Sequence, residues 1–382
     1  MNSRDRVLRT LSHREPDRVP LDIGGSDVTG IHRDAYRELA RLLGLEEDAP
    51  VWHRVQQLAL PSEEMLEKLE VDVRPLFPNP SDDWKLEVQN TGDRLTFRDE
   101  WGVEWAMPKE GGLYYDMIGH PLARVSGAAE LADCPWPDGA DPGRFKGLRD
   151  QAEDLVAKGV ATTLAPAYGG ILESVSWLRG YENFYADLIR DPLLVEAILD
   201  ATLQFHLDFW AGALKEVGDL LDVAVEYDDL GGQSALLMSP EMYRRYVKPR
   251  HKELFSFIKD HCRASVFLHS CGAVYELIPD FIEAGVDILN PVQVSAAGMG
   301  DTRKLKQEFG GELTFWGGGV DTQGVLPRGT PVEVREEVKR RIGDLAPGGG
   351  FVFAAVHNIQ PDVPPGNVMA MWEAWKKYGS YA

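Results

Sequence analysis

From about residue 146 onward, short apolar runs alternate with segments of helical periodicity. The runs fall at 161–165, 221–226, 265–269, 288–291, 313–316 and 351–356. The helical segments fall at 148–158, 182–189, 192–216, 241–261, 274–284, 302–308 and 331–345. Strand and helix at this spacing predict βαβ units around a parallel sheet. Further runs near Val19 and Val71 bring the strand count to about eight, the number that closes a barrel. The expected fold is therefore α/β, a (β/α)8 TIM barrel, as one barrel domain over residues 1–382 with an N-terminal helical segment at 2–11. The alternation is interrupted at about 84–118. Short alternating runs there, at 86–88, 94–98, 103–107 and 113–116, predict a small antiparallel hairpin insertion. Its aromatic residues, among them Trp84, Trp101 and Trp105, are expected to form a satellite core, with a lid over an apolar substrate as the second reading.

Several of the strands end in residues capable of chemistry. The run 264–268 leads into His269-Ser270-Cys271-Gly272. Residues i and i+2 on a strand share a side, so this imidazole and thiol can meet one borderline metal ion, and zinc is the expected ion. His357 ends the run 351–356 in the same manner. Glu226, Asp228 and Asp229 end the run 221–226. In a barrel these positions form the rim at the C-terminal ends of the strands. Glu226 is expected as a further metal ligand, because a carboxylate at such a place is costly to bury without a task. Asp228 is expected as an acid with Asn290 as a second catalytic group, and Asp229 and Gln293 as substrate contacts.

Charge and cysteine content narrow the function. A formal charge of −21 over 382 residues argues against nucleic acid and against an anionic membrane surface. No apolar run approaches the roughly 20 residues that span a bilayer. Three cysteines make no disulfide framework, and no apolar signal-type stretch opens the sequence. The expected location is cytoplasmic, where thiols stay reduced and free to bind metal. Neither a dinucleotide-binding nor a P-loop glycine pattern is present in the required context.

The strand-end motifs resemble those of the uroporphyrinogen decarboxylase superfamily. The resemblance rests on residues 225–233 with 238–243, on 268–272, on 285–293, on 316–321 and on 357–367, and also on the opening 6–8 and 16–20. The superfamily fold is a (β/α)8 barrel. Its decarboxylases grip a polycarboxylate through an arginine-bearing N-terminal segment. The corresponding residues here, 21–27, contain two acids and no arginine. Its zinc- and corrinoid-dependent methyltransferases carry a His-x-Cys motif, matched by His269 and Cys271. Members with a thiol acceptor usually place a second cysteine where this chain has His357, and a histidine there also occurs in the decarboxylases. Two histidines and a cysteine suit zinc, and the lower thiolate content favours an oxygen ligand over a thiol.

The resemblance implies methyl transfer from a methylated small molecule, of the ether or methylamine class, to the Co(I) corrinoid of a partner protein. The corrinoid must come on a partner because the chain lacks an Asp-x-His-x-x-Gly pattern. The alternatives are a tetrapyrrole decarboxylase and a non-catalytic corrinoid- or metal-binding protein.

Overall fold

The computed structural model describes residues 1–166 and 168–381. Seven parallel strands form one sheet in sequential order. They are β1 (Val73–Pro75), β2 (Ala161–Leu164), β3 (Val223–Tyr227), β4 (Ser265–His269), β5 (Ile288–Asn290), β6 (Thr314–Trp316) and β7 (Phe351–Val352). All five residues of β3 are buried, as expected of a parallel strand covered on both faces. The eighth position is taken by the backbone of Pro20–Asp22. Phe353 N–H donates to the Pro20 carbonyl (2.9 Å), Asp22 N–H to Phe353 (2.9 Å) and Asp72 N–H to Leu21 (2.8 Å). The expected barrel thus closes through a bridge too short to count as a strand.

The barrel interior is filled by Val73, Ala161, Val223, Val225, Tyr227, Phe267, Ile288, Trp316 and Val352. Val7 joins that cluster from helix Ser3–Leu11, which covers the N-terminal ends of the strands. Arg4 pairs with Asp222 (3.0 Å) just before β3. Arg6 (2.7 Å) and Arg18 (2.6 Å) both reach Asp72 just before β1. The opening motif is therefore a clamp on the closed end. The other end remains open for a site.

Among the helices outside the segments named above are Ile171–Arg179 and Pro365–Tyr378. No helix among the described residues is long and apolar enough to cross a membrane.

The insertion is a four-stranded antiparallel sheet of Gln89–Thr91, Arg94–Arg98, Glu104–Pro108 and Asp116–Gly119. Its first and last strands are displaced from 86–88 and 113–116. Thr91 pairs directly with Arg94, so a two-residue turn fixes the first strand immediately before it. At the other end, Tyr115 N–H donates to the Val55 carbonyl (3.0 Å), which keeps that residue out of the last strand.

Candidate functional site

His269 ends β4 with its ring turned into the barrel mouth, on the same side as Phe267. Its Nδ1–H donates to Asn290 Oδ1 (2.5 Å), and Asn290 Nδ2 donates to the Trp316 carbonyl (2.8 Å). The second bond fixes which way the amide faces, and the amide fixes the imidazole tautomer. His269 Nε2 is left with a free lone pair, 3.3 Å from Cys271 Sγ. Gly272 shapes the loop. It sits at φ +87°, where a Cβ would lie 2.1 Å from the Gly231 carbonyl oxygen. Its N–H donates to Gln293 Oε1 (2.8 Å).

His357 completes the cluster from the loop after β7, at φ +66°. The rings of His269 and His357 are 5.1 Å apart. One potential ligand atom from each of His269, Cys271 and His357 lies within 4.8 Å of the others. That compactness and the mixed nitrogen and sulfur donor set fit a zinc ion. Asp229 stands beside them. Its Oδ1 accepts the Cys271 N–H (2.7 Å) and is 3.6 Å from His269 Nε2. In the metal-free protein, burial, then Asp229 and Glu173, push the Cys271 thiol well above its usual range. A bound divalent cation reverses that preference, because it stabilises the thiolate. His357 is less prepared than His269, because its Nδ1 accepts the Asn358 N–H (2.8 Å). Coordination through Nε2 requires that contact to yield.

Glu226 does not join the cluster. Side chains alternate along β3, and Val225 and Tyr227 take the inside. Glu226 therefore faces the helix Pro192–Val217, where Trp210 Nε1 donates to it (2.5 Å) and His206 Nδ1 lies 3.0 Å away. Against the pull of burial, this carboxylate raises the His206 pKa. The expectation that Glu226 is a ligand is corrected on that ground, and Asp229 is the carboxylate at the cluster. Asp228 also points away from the mouth. Its Oδ1 accepts the N–H groups of Leu172 and Glu173 (2.8 Å each), and its Oδ2 lies 2.6 Å from His251 Nε2. It caps the helix Ile171–Arg179, which lacks a side-chain cap of its own. The role expected of it as an acid is corrected to a structural one. Asn290 orients His269 and does not line the cavity. Gln293 supports Gly272 and likewise stays outside.

The cavity over the cluster measures about 630 Å³. His269, His357 and Asp229 line its floor, and Phe97, Trp105 and Met117 from the insertion line its wall. The aromatic insertion is thus both a small core and part of the cavity wall. Four further groups line the mouth that the strand-end motifs did not single out, Tyr227, Asp27, His53 and Glu173. Tyr227 donates its hydroxyl to Asp27, and Asp27 Oδ2 is 3.5 Å from His53 Nε2. Glu173 is pushed well above the usual carboxylate range by burial, then by Asp229, Asp228 and Asp27. These neighbours favour its protonated form, from which it could donate a proton. The signal for its helix was the spacing of Ile171, Leu172, Val175 and Leu178 after Gly169-Gly170.

Two expected results follow from this geometry. Asn290→Leu should leave the fold intact and weaken zinc binding about 10- to 100-fold, because His269 loses the partner that fixes its tautomer. Competition with a chelator measures this, and unchanged affinity would remove Asn290 from the site. The second concerns pH. Burial, then His269 and His53, lower the His357 pKa from 6.5 to about 3. The unfolded chain takes up a proton near 6.5, so metal-free stability should fall as pH drops below about 6.5 and level off below about 3. At pH 5 the loss is at most roughly 2 kcal/mol. Denaturant melts at pH 7 and 5 should show a smaller loss in His357→Gln, and an equal loss would contradict the assignment.

A closed parallel barrel with titratable and metal-binding groups gathered at the C-terminal mouth defines an α/β-barrel enzyme architecture. The sequence model of the uroporphyrinogen decarboxylase (URO-D) family matches residues 117–378, and the chain belongs to that family. It is 24% identical over 255 residues to a methylated-thiol–coenzyme M methyltransferase of Methanosarcina mazei, a match covering 64% of this chain and 62% of that relative. The chain thus spans less than two thirds of that relative's length. It is 25% identical to a uroporphyrinogen decarboxylase of Alkalilimnicola ehrlichii, covering 97% of this chain and 93% of that one. A solved methyltransferase from Methanosarcina mazei shares the fold, with TM-score 0.65, 21% identity and 99% of each chain covered.

Proposed function

We propose that this protein is a zinc-dependent methyltransferase. It moves a methyl group from a methylated small molecule, an ether or methylamine, to the Co(I) corrinoid of a separate partner protein. The observation that carries this reading is the meeting of His269, Cys271 and His357 under a cavity at the barrel mouth. A zinc ion held by these three residues would supply Lewis acidity to the heteroatom that bears the methyl group. The chain's own contribution is orientation and proton supply. Asn290 holds the His269 tautomer, and Asp229 faces the cluster. Glu173 lines the cavity, its burial and acidic neighbours favour the protonated form, and it is the acid this reading assigns to the leaving heteroatom. The aromatic wall excludes water and fixes the donor against the floor.

The relative that is a decarboxylase favours a second reading, decarboxylation of a tetrapyrrole. A polycarboxylate would meet Asp27, Glu173 and Asp229 in this cavity and only one arginine, Arg54, among the described residues. That balance disfavours it.

The deciding experiment is direct. As-purified protein should contain about one zinc per chain. Mixed with a reduced corrinoid protein and a panel of methyl ethers and methylamines, it should convert Co(I) to methyl-Co(III). Well-folded protein that neither contains nor binds a transition metal would end the proposal.

A further inference from the structure

Arg54 lines the cavity with nothing to neutralise it. Its Nε is buried without a hydrogen-bond partner among the described residues. Arg54 is only half-buried, but leaving its buried Nε–H unpaired is costly, and in a chain of formal charge −21 an internal carboxylate would be easy to provide. Among the described residues, none of the acids lining the cavity pairs with it, and two of them are engaged elsewhere. Asp27 accepts from Tyr227, and Asp229 accepts from the Cys271 N–H. Trp52, two residues before Arg54, repeats the pattern, because its Nε1–H is also buried, unpartnered and on the cavity lining. Both groups only donate hydrogen bonds.

Their place relative to the cluster is fixed by the backbone. Trp52 belongs to the short strand Val51–His53, and Arg54 begins the turn after it. Two residues further on, Gln56 Oε1 accepts from Asn358 Nδ2 (2.6 Å), next to His357. Val55 is tied to the insertion through Tyr115. The segment therefore forms a cavity wall anchored beside His357 and carries an unpaired cationic donor and an unpaired N–H.

We infer that Arg54 and Trp52 bind a carboxylate on the substrate, so that the methyl donor is a methylated carboxylic acid. This rests on the methyltransferase reading for the word donor and on the two unpaired groups alone for the carboxylate. The carboxylate would receive a charge-assisted bond from Arg54 and a second bond from Trp52. A primary amide offers one acceptor oxygen and no charge, and its NH2 would face the other donor, so a preference of about 30-fold or more for the carboxylate is expected.

Calorimetry on the zinc-loaded protein tests this with three matched pairs. These are 4-methoxybenzoate, methoxyacetate and N,N-dimethylglycine, each against its primary amide. The carboxylate should bind at least about 30-fold more tightly on one or more scaffolds. Arg54→Gln should abolish that preference while leaving zinc content unchanged, with the carboxylate losing far more affinity than the amide. Trp52→Phe keeps the ring, removes the N–H, and should reduce the preference about tenfold. It serves alone if Arg54→Gln does not fold. No preference on any scaffold, or a preference that survives these substitutions, would overturn the inference. A preference without methyl transfer to Co(I) would leave this subsite standing and defeat the transferase reading.

Discussion

Cys271→Ser is expected to give a folded protein that no longer retains zinc and transfers methyl to Co(I) several orders of magnitude more slowly. A serine hydroxyl remains protonated at neutral pH and is a poor ligand, so the set falls to two imidazoles. The barrel should survive. Its core is built from apolar side chains along the whole chain, and a fold of this size does not depend on one metal. Activity should collapse because heteroatom activation and substrate placement both use the ion the thiolate holds. The comparison requires zinc content, thermal midpoint and initial rate on the same preparation. Near-normal turnover without zinc would sink the mechanism. Failure to fold would make Cys271 a packing residue.

Asp228→Ala should show the opposite pattern, with stability lost first. The carboxylate is fully buried and serves the N–H groups of Leu172 and Glu173 and the ring of His251, whose Nδ1 lies 3.1 Å from the Tyr243 hydroxyl. Its removal strands all of these in a place water cannot reach, at a cost of about 3–5 kcal/mol. The helix Ile171–Arg179 has little room to adjust. At Gly170 a Cβ would lie 1.5 Å from the Tyr227 carbonyl oxygen, so the helix start already touches the end of β3. Asp228→Asn keeps an acceptor and should cost far less. Zinc-loaded Asp228→Asn should therefore retain turnover within about tenfold. If it is stable and inactive, Asp228 is a catalytic acid after all, and the structural role assigned here is wrong.

The error over Asp228 and Glu226 has one cause. Where a strand is covered on both faces, apolar residues occupy both sets of alternating positions, and the sequence carries no mark of which set faces inward. Val223-Ala224-Val225 reads identically in either register. The inward choice falls to Val225 and Tyr227 because the larger Tyr227 ring fits the mouth and its hydroxyl reaches Asp27. Glu226 then turns toward the helix that precedes β3, and Asp228 toward the start of the helix Ile171–Arg179, 55 and 56 residues away. The helix Ile171–Arg179 went unread for a related reason, since its buried face is nearly continuous and lacks a capping side chain.

What the sequence determined by itself was the alternation that yields a parallel barrel and the local pairing of His269 with Cys271. Both depend on spacing between near neighbours, which the chain carries in its own periodicity. His357 could be named as a candidate, because it ends an apolar run in the same way. That it lies against His269, that Asp229 and not Glu226 stands beside them, and that Arg54 is left unpaired were decided only by the tertiary structure. Each depends on barrel closure, which joins the strand after Asp72 to the strand after Gly350 through the backbone of Pro20–Asp22. Contacts of that kind are set by which side chains the interior can hold, and no local pattern records them.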